Sequence, residues 1–96
     1  MSAVIIGGVE SMERKYKDIC KKHNYKAKVF TKMSGNLREK IGSPDLIVLF
    51  TNTVCHKMVK CALEEAERTN ASVIRCHTSS ATALESILKE CVNKAG

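Results

Sequence analysis

The 96-residue chain has no tryptophan, one proline and only four aromatic residues. With so few aromatics and no nucleic-acid motif, nucleic acid is not an expected partner. No apolar run approaches the roughly 20 residues that a membrane helix needs. The C-x₂₋₄-C and H-x₃₋₅-H spacings of structural zinc sites are missing. So are a Walker sequence, a complete G-x-G-x-x-G fingerprint, a C-x-x-C redox pair and the C-x-x-C-H haem attachment. The opening MSAVIIGG lacks the basic start and the length of a signal peptide.

What is present fits an ordinary soluble domain. The hydrophobic fraction is 44% and the charged fraction 27%. The length suits one domain spanning 1–96 and is too short for two. A chain this size buries only about two-thirds of its unfolded surface, so a second copy would add useful burial. A homodimer is therefore expected. The cysteines number five, an odd count that rules out a fully paired framework within one chain. Without an export signal they point to a reducing cytoplasm. Cys61 and Cys91 fall on apolar helix faces and read as small buried hydrophobes. Net charge is +6, much of it between Arg14 and Lys28. Asp18 interrupts that run, which reads as a solvated helix face. The charge still favours a small anionic ligand.

Periodicity gives the elements. Ala3–Ile6 is a buried strand ending at Gly7–Gly8. From Ser11 to Asn24, the spacing of Met12, Tyr16, Ile19 and Cys20 is helical, with Asn24 as a stop. Lys26–Thr31 is a more polar strand, suited to an edge. Leu37 and Ile41 suggest a short helix that Pro44 ends. Asp45–Thr51 is apolar along its middle, as in a central strand covered on both faces. A long helix over Thr53–Asn70 buries Val54, Met58, Cys61, Ala62 and Ala66. Ser72–Cys76 is the fourth strand. In the last helix Leu84, Ile87, Leu88, Cys91 and Val92 face inward, with Thr82–Glu85, Ser79 or Ser80 as its cap. This alternation predicts an α/β fold: a small flavodoxin-like, three-layer domain with a four-stranded parallel sheet of order 2-1-3-4.

In such sheets ligands bind beyond the carboxyl ends of the strands, at the switch point. Here Gly7–Gly8 would face Thr51–His56 (TNTVCH) across that crevice. Glycines permit positive φ and close backbone approach, and a plain tight turn explains the pair about as well. Asn52 or Thr53 can cap the long helix and so place Cys55 and His56 in its first turn. The N–H groups and dipole of that turn attract anions and favour a cysteine thiolate. Cys55 and His56 are therefore candidate metal or haem ligands. The bland alternatives are a small buried cysteine and a histidine that closes the loop. After the fourth strand, Arg75-Cys76-His77-Thr78-Ser79-Ser80 offers hydroxyls for a phosphate or carboxylate, or merely for capping. Arg75 and Cys76 should point to opposite faces. Cys20 and His23 share a helix face away from the crevice and are not expected ligands.

With these residues in view, the chain resembles a family of short bacterial proteins of unknown function. Its members open with a strand ending in Gly-Gly. They carry Thr-Asn-Thr-Val-Ser-His or Thr-Asp-x-x-Ser-His after the central strand, then a hydroxyl-rich loop before the last helix. The matching features here are Gly7–Gly8, Thr51–His56 and Thr78–Ser80, with KAKVFTKMSGNL and GSPDLIVLFTNT between them. The resemblance implies a Rossmann-like fold and brings little settled function. Many relatives have His where this chain has Val9, and Ser where it has Cys55. One ligand candidate is lost and a thiolate candidate gained.

These readings converge on a non-enzymatic ligand-binding module, a sensor or carrier. Haem needs one or two axial ligands and cations for its propionates. Cys55 or His56 would ligate haem or another metal-centred anionic cofactor. Arg14, Lys57 and Arg75 would meet its acidic groups, with Gly7, Gly8 and Asn52 lining the crevice. One alternative is a phosphate or nucleotide binder using Gly7, Gly8, Ser79 and Ser80. Another is a thiol-dependent redox enzyme built on Cys55.

Overall fold

A continuous apolar run needs cover on both faces, and the two strongest runs in this chain become the two central strands. The computed structural model describes the backbone apart from Met33, Ser34, Thr53, Ser79 and Gly96. Its side chains are described apart from those residues, Arg38 and residues 91–95. The order is β1 (Ser2–Ile6), a 3-10 turn (Glu10–Met12), α1 (Glu13–Lys22), β2 (Lys26–Phe30), α2 (Leu37–Ile41), β3 (Leu46–Phe50), α3 (His56–Thr69), β4 (Ser72–Cys76) and α4 (Ala81–Ala95). The strands form one sheet of order β2-β1-β3-β4, parallel throughout. This is the expected three-layer architecture. No helix among the described residues is long and apolar enough to cross a membrane.

Strand side chains alternate between faces, so the sheet carries two cores. On one face Ala3, Ile5, Val48 and Phe50 meet Tyr16, Ile19 and Cys20 of α1 and Leu84 and Leu88 of α4. On the other, Val4, Ile6, Ile47 and Leu49 meet Leu37 and Ile41 of α2 and Met58, Ala62 and Ala66 of α3. Every residue of β3 is buried. The edge strand β2 alternates exposed Lys26 and Lys28 with half-buried Ala27 and buried Val29.

The element ends differ from expectation in instructive ways. The Glu10–Met12 turn delays α1 to Glu13. Asn24, at φ 63°, turns the chain after α1. Gly42, at φ 65°, follows the last residue of α2, so a left-handed residue ends that helix two positions before Pro44. The long helix begins at His56, not Thr53. A turn intervenes, with the Val54 N–H donating to the Phe50 carbonyl at 3.1 Å. Cys55 is then the N-cap itself, in extended conformation. At α4, Ser80 is the cap: the Ala83 N–H donates to its Oγ at 3.2 Å. Ser79, Thr53 and the side chains of Cys91 and Val92 lie outside the described residues.

Candidate functional site: the carboxyl edge of the sheet

The exit of β1 is closed by packing. Gly7 and Gly8 have φ of 93° and 89°, open to glycine at little cost. The Gly7 N–H extends the β1–β2 ladder to the Phe30 carbonyl at 2.8 Å. Gly8 lies against an aromatic pair. A Cβ there would stand 2.8 Å from Tyr16 Cε2 and 3.2 Å from Phe50 Cδ2. The two rings are tilted at 35° with centroids 5.3 Å apart, and Tyr16 is fully buried. The Val9 N–H donates to the Tyr16 hydroxyl oxygen at 3.1 Å, and that hydroxyl faces Met12 Sδ at 3.9 Å. The close approach that Gly8 permits is therefore to Tyr16. Beyond it, Glu10 pairs with Lys32 at 3.3 Å, and Glu13 occupies the first turn of α1. Carboxylates thus stand where an anion would be drawn to a helix start. Val9 is 42% exposed at this edge.

The exit of β3 is open. Asn52, Cys55, His56 and Lys57 are exposed, while Val54 packs inward against the α3 face. Cys55 makes no side-chain cap bond, and the first turn of α3 holds no acidic residue. The Cys55 carbonyl accepts from the Met58 and Val59 N–H groups at 3.1 and 3.2 Å. A cysteine thiol, an imidazole and an ammonium follow one another at the positive end of a 14-residue helix.

The exit of β4 is tied to that of β3. The Thr51 N–H donates to the Cys76 carbonyl at 2.8 Å, and Thr51 Oγ1 lies 3.0 Å from His77 Nδ1. The Cys76 thiol donates to the Thr78 carbonyl at 3.1 Å. Cys76 packs on the α1–α4 face with Ile74, while Val73 belongs to the other core. By alternation Arg75 falls on the α3 face, exposed and opposite Cys76, as expected. Ser80 is half-buried and spends its oxygen as acceptor on the α4 cap.

The structure therefore separates the candidate residues. Cys55, His56, Lys57 and Asn52 share the β3 exit. Gly7 and Gly8 sit at the β1 exit, and Arg14 lies exposed in the first turn of α1, the helix on the opposite face from α3. Cys20 is fully buried beneath α1, and loss of water pushes its thiol up to about 11. It is a core residue, as expected. Among the described residues no group of three or more His, Cys, Asp or Glu side chains is placed to hold a metal ion. A metal inside a macrocycle asks the protein for only one or two ligands.

The sequence reading missed two parts of this edge. One is Tyr16, assigned only to a helix stripe, which plugs the crevice floor. Its signal was scarcity: one of four aromatics, a helical turn past Met12. The other is the Thr51–His77 bond that joins the β3 and β4 exits. No signal in the sequence pairs those residues.

Residues 2–91 match the family described as an uncharacterized protein conserved in bacteria, DUF2325. The chain belongs to the DUF2325 family. No curated protein matches it. Among solved structures, this DUF2325 chain is similar to a de novo designed Rossmann 2x2 protein, with 16% identity and a TM-score of 0.64. That likeness covers 99% of this chain and 89% of the designed one, and it shows the fold alone.

Proposed function

We propose that this chain is a non-enzymatic cytoplasmic binding module, a sensor or carrier, that takes haem or another metal-centred anionic cofactor at the β3 exit. The observation that carries this reading is the start of α3, where Cys55 and His56 stand exposed and consecutive with Lys57 beside them. Cysteine and histidine are both haem ligands, and the helix end favours the negative charge of propionates. Lys57 and Arg75 are the cations for the acidic groups, whereas Arg14, on the helix of the opposite face, does not join them. Exposed Val9 offers an apolar contact on the same edge. A macrocycle held on so open an edge would be covered by a second copy of the chain, which supports a homodimer.

The test is the ultraviolet–visible spectrum of the purified protein before and after haem addition, repeated with Cys55→Ala and His56→Ala. A saturable Soret band that shifts or vanishes in one variant supports the reading and names the ligand. The absence of a stable band, or a band indifferent to both changes, overturns it.

The phosphate or nucleotide reading draws on a different observation: while its oxygen caps α4, the Ser80 O–H remains a donor at the start of that helix. It is weakened by the plugged Gly8 and the acidic first turn of α1. Inorganic phosphate binding that survives Cys55→Ala and His56→Ala but fails in Ser80→Ala would favour it.

A further inference from the structure

The opposite flank of the molecule carries an independent feature. β2 ends the sheet, and among the described residues no strand pairs with the outer side of its backbone. The Lys26 N–H donates to the Met1 carbonyl, and the Phe30 carbonyl accepts from Gly7. In a parallel ladder alternate residues turn both backbone groups toward the same neighbour. Lys26, Lys28 and Phe30 therefore face β1, and the peptide groups of Ala27 and Val29 face outward. Unpaired groups of this kind form a template for another strand.

The space beside them is shaped to receive one. A groove of about 310 Å³ runs along β2 from Lys17 of α1 to Lys40 of α2, lined by Ala27, Lys28, Val29 and Phe30. A second, of about 290 Å³, lies on the α2 side and includes Lys26 and Pro44. No Asp or Glu lines either groove among the described residues. Glu13 pairs with Lys17 at 3.5 Å, and Lys28 Nζ donates to the Lys40 carbonyl at 3.1 Å. The latter partner is a neutral carbonyl, and among the described residues no carboxylate pairs with Lys28.

We propose that the open edge of β2 is a docking site for an acidic, extended segment of a partner protein, which adds to the sheet as a fifth strand. Main-chain bonds to Ala27 and Val29 hold it, and its two faces are read differently. On the α2 face it meets Lys26 and Lys28 and needs carboxylates. On the α1 face it meets Ala27 and Val29 and accepts apolar side chains. The matching segment alternates acidic and apolar residues over about the five positions of β2. A second copy of this chain does not fit. Two-fold pairing of β2 with itself would crowd both Lys26–Lys28 pairs onto one face, and like charges across strands repel.

The experiment is fluorescence anisotropy of a labelled six-residue peptide of alternating Glu and Val. A Lys–Val peptide and a 20-mer of thymidylate serve as controls. The Glu–Val peptide should saturate the protein, weaken with salt and lose at least tenfold in affinity with Lys26→Glu plus Lys28→Glu. Ala27→Pro should weaken it similarly, because it deletes an outward N–H while the β1–β2 ladder keeps its bonds. If Ala27→Pro fails to fold, protection of the Ala27 and Val29 amides from hydrogen exchange on peptide addition replaces it. The proposal is overturned if the Glu–Val peptide does not bind, or if the Lys–Val peptide binds as well. Thymidylate binding more tightly, with no response to Ala27→Pro, would reveal a general polyanion patch and also overturn it.

Discussion

The exits of β1 and β3 flank the same crevice and have opposite characters. At β1 the backbone is pressed onto Tyr16 and Phe50, the turn is hydrogen-bonded to a buried hydroxyl, and the helix that follows begins with acid. At β3 the chain makes an extra turn and leaves a cysteine, a histidine and a lysine in solvent at the start of a helix. A Gly-Gly pair at the end of a first strand invites a nucleotide reading. Here the missing side chains make room for the protein's own tyrosine. The difference teaches that a glycine shows only that something approaches closely, and its neighbours decide what.

The largest expected effect breaks the closed side. Gly8→Ala places a methyl 2.8 Å from Tyr16 Cε2 at a φ of +89°. Backbone strain and overpacking each cost about 1–3 kcal/mol, so a loss of about 3 kcal/mol is expected in denaturant unfolding. A loss below about 1 kcal/mol would show that the β1 exit is looser than its packing implies.

Alkaline pH probes the same core at the other end of α1. The buried Cys20 thiol is raised from 9.0 to about 11. The unfolded chain then releases its proton first, so this contribution is intact below pH 9 and is lost as pH rises through about 11. The loss amounts to about 3 kcal/mol. Cys20→Ala should be less stable at neutral pH, because it leaves a small void, and should lack this alkaline decline. An unchanged decline in Cys20→Ala would assign the effect to other groups.

Tyr16→Phe is a finer cut. It keeps the ring against Gly8 and Phe50 but takes the hydroxyl from the Val9 N–H. A loss of about 1 kcal/mol is expected. At the open exit, Cys55→Ala and His56→Ala should change stability by less than about 0.5 kcal/mol, because both side chains are exposed. That contrast with Gly8→Ala is the comparison in energetic form. Equal costs at the two exits would erase it.

Much of the fold was legible because its signals are local and strong. Ile47, Val48 and Leu49 can only be covered on both faces, and the spacing of Tyr16, Ile19 and Cys20 fixes the buried side of α1. Helix ends were less legible. The sequence allowed Asn52 or Thr53 to cap α3, whereas a backbone turn from Phe50 to Val54 moved the start to His56 and made Cys55 the cap. That shift of two or three residues takes Cys55 from inside the helix to its mouth. The site was legible as a list of residues but not as an arrangement. Gly8 meeting Tyr16, and Thr51 meeting His77 across two strands, depend on how separate elements pack.

The central claim is that the β3 exit, and not the Gly-Gly exit, receives the ligand. Amide chemical shifts of labelled protein titrated with gallium protoporphyrin, a diamagnetic stand-in for haem, test it most directly. The account predicts the largest shifts at Cys55, His56, Lys57 and His77, with saturation. Shifts confined to Gly7 through Met12, with Cys55 to Met58 unmoved, would contradict it.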